Sequence, residues 1–87
     1  MKVLMKPIEM IAYFEQEGIP TPIRFRTSSE NGLHIVIKVN KIITKTEEKL
    51  AGNKMYVFRC MSFINGIEKV YELKYELSTC KWFLFKI

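Results

Sequence analysis

The chain has no aspartate, and its nine acidic residues are all glutamate. They are scattered apart from the adjacent Glu47 and Glu48, so a paired general acid and base finds no support. A single histidine, His34, and two cysteines, Cys60 and Cys80, leave no ligand set at zinc spacing. Ser28 and Ser29 have neither a partnering histidine nor a Gly-x-Ser-x-Gly setting, so nucleophilic catalysis finds no support. The four glycines form no phosphate-cradling motif. Two cysteines are too few for a disulfide framework. No apolar run approaches the roughly 20 residues a spanning helix needs, and the start lacks a charged-then-apolar leader. These absences define the expectation: a non-enzymatic cytoplasmic chain with no metal, no cofactor and no membrane partner.

What is present points to a folded β domain. Eighty-seven residues, 48% hydrophobic and 13% aromatic, suit a single domain spanning 1–87. A chain of this size buries about 60–65% of its unfolded surface, enough for one modest core. The net charge is +5, from 14 lysines and arginines against nine glutamates, which permits nucleic acid or an acidic partner.

The last third carries the clearest pattern. Two alternating runs, MYVFRCMSFI and IEKVYELKYEL, flank Asn65-Gly66. A type I′ turn needs positive φ at both central residues, and Asn-Gly supplies it. A two-residue turn pairs Ile64 with Ile67, Ser62 with Lys69, Cys60 with Tyr71, Phe58 with Leu73 and Tyr56 with Tyr75. The opposite face pairs Met61 with Val70, Arg59 with Glu72, Val57 with Lys74 and Met55 with Glu76. A one-residue slip would turn the aromatic set to water, so the register is strongly specified. At the next connection two closures compete. A two-residue loop at Thr79-Cys80 puts Trp82 and Leu84 on the aromatic face. A three-residue loop, Ser78 to Cys80, puts Phe83, Phe85 and Ile87 there and Lys86 opposite Glu72. The second matches charges and is favoured, with Cys80 in the left-handed region. Cys60 then points into the core and Cys80 sits on a turn.

Upstream, Val3 to Phe14 reads as a strand or as a helix with Pro7 in its first turn. Gly18 to Pro22 is a breaker. Ile23 to Thr27 alternates, with Arg24 and Arg26 opposite Ile23 and Phe25. Ser28 to Gly32 ends in a second hairpin signal, Asn31-Gly32. Leu33 to Thr46 is a long β-branched run whose apolar parity changes between Val39 and Ile42, which predicts a bulge or sharp bend near Asn40-Lys41. Glu47 to Lys54 reads as a polar loop. The expected fold is all-β, a small, strongly bent antiparallel meander of about six strands forming a barrel or half-barrel. The alternative is a five-stranded sheet with one N-terminal helix.

Pro7-Ile8-Glu9, the Gly18 turn, Pro22-Ile23-Arg24-Phe25-Arg26, Val57-Phe58-Arg59-Cys60, Gly66, Tyr71-Glu72-Leu73-Lys74-Tyr75 and Lys81-Trp82-Phe83-Leu84 occur in this order. The order loosely resembles a bacterial domain-of-unknown-function family of small β proteins encoded beside, or fused to, Y-family translesion DNA polymerases. Thr27 stands where that pattern has an aromatic, and Cys80 where it has a glycine. The resemblance implies a β fold and a DNA-repair setting, with nucleic acid or a polymerase-like protein as partner.

Two surfaces are candidates for binding. Arg24, Arg26, Lys38, Lys41 and Lys45 come from neighbouring strands and would form a basic stripe, with Tyr13 or Trp82 to stack bases. The second face of the terminal meander carries Met55, Val57, Met61 and, with the favoured three-residue loop, Trp82 and Leu84. That much apolar surface fits a second barrel wall, a homodimer face or a protein-docking surface, with barrel closure favoured. The oligomeric state is left open between monomer and homodimer.

Overall fold

The computed structural model describes residues 1–29 and 31–87, so Glu30, just before the Asn31-Gly32 hairpin signal, lies outside the described residues. Among them there is no helix, and seven strands follow in order: β1 Val3–Phe14, β2 Pro20–Ser28, β3 His34–Lys38, β4 Lys41–Leu50, β5 Asn53–Ile64, β6 Ile67–Glu76 and β7 Lys81–Lys86. The N-terminal segment is therefore a strand: Ile8, Met10 and Ala12 alternate inward, which no helical stripe would allow. All pairings are antiparallel, in the order β3-β2-β1-β7-β6-β5-β4. The result is one strongly curled sheet, a half-barrel. Its two ends, β3 and β4, are consecutive in the chain and run in the same sense, as one long strand bent at Val39-Asn40. The bend expected near Asn40-Lys41 divides that run, which gives seven strands where about six were expected.

The β5–β6 register is the one derived from residue types, rung for rung from Met55↔Glu76 to Ile64↔Ile67. Asn65 and Gly66 both take positive φ, 52° and 74°, as the turn requires. The β6–β7 connection departs from expectation. Glu76 pairs with Lys81 across a four-residue turn, and Tyr75 pairs with Trp82. Trp82 and Leu84 are consequently buried, while Phe83 and Phe85 are only half-buried. A bulge at Phe85 then shifts the ladder by one residue and brings Lys86 opposite Glu72. Burying the indole and matching the charges are thus both achieved, by a bulge rather than by a three-residue loop. Cys80 does lie in the left-handed region, at φ 60°.

Two further boundaries move. The Gly18–Pro22 breaker is shorter than expected, because β2 begins at Pro20, with Pro20 and Pro22 both buried. β3 reaches β2 only at Arg24, so the proline end is an edge where a missing N–H costs no ladder bond. A bulge at Ile23 lets Pro22 and Phe25 face inward together. The Glu47–Lys54 stretch is ladder, not loop: β4 and β5 pair from Leu50↔Asn53 down to Lys41↔Met61.

The core lies in the concave side of the sheet. Phe25 and Ile37 from β2 and β3 close over Phe58, Cys60, Tyr71, Leu73, Tyr75, Trp82 and Leu84. Full burial of a side chain such as Phe25 or Leu73 contributes about 1.5–3 kcal/mol. The Phe25 and Tyr71 rings meet edge to face, with centroids 5.7 Å apart.

Candidate nucleic-acid interface

Phe25 and Ile37 face the core, so their neighbours on β2 and β3 face outward. Arg24 then stands directly opposite Lys38, with Ile11 of β1 on its other side. One step along, Arg26 stands between Glu9 and Val36. Tyr13 continues the β1 row and is largely exposed, as are Ile11 and Val36. Glu9, Ile11, Arg24, Arg26 and Val36 surround a shallow concavity of about 440 Å³.

The electrostatics separate the two arginines. Arg26 donates from Nε (2.9 Å) and Nη2 (2.6 Å) to Oε1 of Glu9, so its charge is matched within the fold. Among the described residues, no carboxylate lies within 4.0 Å of the Arg24, Lys38 or Lys41 side-chain nitrogens. Like charges directly opposite on a sheet face are unfavourable, with Cβ atoms about 4.5–5.5 Å apart. An anion between Arg24 and Lys38 would relieve that repulsion.

Lys38 is held by its backbone. Ser62 Oγ donates to the Lys38 carbonyl at 2.6 Å, and the Tyr71 hydroxyl donates to Ser62 Oγ at 2.5 Å. Both residues are fully buried. Asn40 reinforces the bend: its N–H donates to the Met61 carbonyl, and its Oδ1 accepts from the Phe63 N–H. Ser62 falls at an inward position of the β5–β6 register, but no residue type in the sequence marks the Lys38 carbonyl as its partner.

The expected stripe is only partly assembled. Arg24 and Lys38 are neighbours, Arg26 lies beside them but is engaged by Glu9, and Lys41 follows round the bend on the outer face opposite Met61. A bulge at Ile43 reverses the parity of β4, so Lys45 pairs with Phe58 and turns to the inner side. There it lines a small recess with Ile19, Thr46, Glu47 and Tyr56. Trp82 is in the core and offers no stacking surface; Tyr13 does.

The second candidate surface also changes character. It is the outer face of the half-barrel and not a second core wall. Met55 is buried, Val57 and Met61 are half-buried, and Trp82 points the other way. Long charged side chains cover it. Lys74, itself buried, donates to both carboxylate oxygens of Glu48, at 3.2 and 3.0 Å, across the intervening strand. Its Nζ also lies 3.8 Å from the Phe85 ring centroid, with Lys86 Nζ 5.1 Å away. Glu72 takes Arg59 at 3.2 Å and Lys86 at 3.7 Å.

His34 is exposed on β3, and no group of three His, Cys or Glu side chains among the described residues is placed to hold a metal. Cys60 is buried and its thiol is pushed up to about 12, chiefly by that burial and secondarily by Glu72. Such a thiol is a poor nucleophile. Cys80 is exposed on the β6–β7 turn. No family profile, curated protein or solved structure matches this chain.

Proposed function

We propose that this protein is a non-enzymatic β module that binds single-stranded nucleic acid on the outer face of β1, β2 and β3. The observation that carries the reading is the cross-strand pair Arg24 and Lys38, two cations held side by side without a described acidic partner. A phosphate bridges them and removes their repulsion. Lys41 extends the cationic track round the bend, and Tyr13 presents an exposed ring on which a base stacks. Arg26 plays a lesser part, because Glu9 already matches its charge. The net charge of +5 and the family resemblance, with its DNA-repair setting, support the same reading.

The test is fluorescence anisotropy of a labelled oligothymidine across a salt series. About three phosphate contacts give a log–log slope near −2 for a single strand. Arg24→Ala and Lys38→Ala each shallow that slope by about 0.7. Lys45→Ala leaves it unchanged, since that side chain faces inward. Absence of binding at low salt, or indifference to both Arg24→Ala and Lys38→Ala, overturns the proposal.

A further inference from the structure

The half-barrel has a seam, and the direction of its backbone groups can be read from the few bonds that flank it. Within a strand, N–H and C=O groups of alternate residues point to opposite sides. The Val39 N–H donates to the Ile23 carbonyl, and the Leu33 carbonyl accepts from the Ser29 N–H. Odd-numbered residues of β3 therefore bond toward β2. His34, Val36 and Lys38 turn theirs the other way, toward β5. The bond from Ser62 Oγ to the Lys38 carbonyl agrees with this. On β5, the Met61 carbonyl and the Phe63 N–H both engage Asn40, so odd-numbered residues there face β3.

Ser62 and Asn40 close the top of the seam. Below them β3 and β5 have no ladder between them, since they are not neighbours in the sheet. The N–H and C=O of Val36 and of His34 line one wall without a strand beside them. The Phe63 carbonyl faces them from the other. Apolar side chains of β3 and of the β5–β6 hairpin tip are open on either side of the seam: Phe63 and Ile67 are 59% and 60% exposed, Ile35 is 39% exposed, and Ile64 is half-buried. Unpaired backbone on an edge, with apolar side chains around it, is the arrangement that takes up an extended chain.

We infer that the cleft between β3 and the β5–β6 hairpin binds an extended peptide strand, added antiparallel to β3 along His34–Val36. Its main chain pairs with the Val36 and His34 amide and carbonyl groups. Alternate side chains that point inward meet Ile35, Ile64 and Ile67 and are apolar. Those that point outward lie beside Lys38 and His34, with Arg24 and Arg26 one strand further away, and are acidic. A second copy of β3 fits less well, because it would bring two strongly cationic faces together. This inference shares Lys38 and Arg24 with the nucleic-acid reading and adds to them the free edge of β3, which that reading does not use; Val36→Pro and the methylated peptide test the edge alone.

Val36 allows a direct test, because its N–H faces the seam and not β2. Val36→Pro removes the donor to an added strand without removing a β2–β3 ladder bond. The probe is a capped, fluorescein-labelled peptide of alternating glutamate and valine. The expected result is saturable binding that weakens about tenfold or more in Val36→Pro, with the far-ultraviolet circular dichroism unchanged. A peptide methylated on the amide nitrogens of one edge provides the same test on the wild-type chain, whether or not Val36→Pro folds. Failure of the parent peptide to bind, or equal binding of the methylated one, overturns the proposal. A dimer by light scattering that Val36→Pro dissociates also overturns it, since the edge would then be covered by a second copy.

Discussion

Ser62 is a fully buried hydroxyl side chain that ties three strands together. It accepts from Tyr71 on β6, lies on β5, and donates to the Lys38 carbonyl at the end of β3. Replacing it by alanine leaves the part-buried Lys38 carbonyl and the buried Tyr71 phenol without this partner. Such losses cost about 1–3 kcal/mol, because the desolvation of each group is no longer offset. Urea unfolding of Ser62→Ala is expected to show a fall of that size. If the proposed nucleic-acid site is correct, affinity for oligothymidine falls as well, because the end of β3 that carries Lys38 loses its tie to β5. The relay was not legible in advance, since a serine at an inward position carries no pattern of its own. Its meaning comes from a carbonyl far away in sequence.

At the scale of the strand, β4 shows how an edge is kept from pairing. It ends the sheet, and its ten residues have a partner on one side only. Beyond the bulge, Lys45 and Glu47 stand on the inward side, where an edge strand would otherwise show apolar residues. Inward charges of this kind disfavour addition of another chain. Lys45→Ile is expected to leave the fold intact and to promote association, seen as concentration-dependent light scattering; a mutant that stays monomeric would count against this role. The same bulge explains why the basic stripe was only half legible. Lys41 and Lys45 share parity in the sequence, so simple alternation places them together. One inserted residue separates them. The hairpin of β5 and β6 was fully legible because its turn residues and alternation agree. The β6–β7 pairing was not, because a four-residue turn and a bulge each displace the register and no residue type announces the pair.

Across the whole molecule, the buried acids set the response to alkali. Burial raises the Tyr71 hydroxyl from 10.0 to about 12, partly opposed by its bond to Ser62, and raises the Cys60 thiol from 9.0 to about 12. Both groups hold their protons longer in the folded chain than in the unfolded one. Stability is therefore full below about pH 9 and falls as pH rises toward 12, because the unfolded state releases protons first. Urea midpoints between about pH 8 and 11 should show this decline, and Cys60→Ala should make it shallower. The half-barrel itself was legible, from short alternating strands, the spacing of turns and the need to cover sheet edges. Its seam was not, since it depends on where β3 parts from β5. One pairing bears on how the fold is reached. Lys2 and Ile87 exchange two backbone bonds, of 2.7 and 3.0 Å, as β1 joins β7. Every other adjacent pair of strands is joined by a short turn and can zip locally. The β1–β7 ladder, from Lys2 and Ile87 to Ile8↔Trp82, must bring together residues near opposite ends of the described chain, at the largest loop-closure entropy the fold contains. The sheet therefore has a natural last step: two hairpin assemblies form first, and the meeting of β1 with β7 is the slow event that joins them.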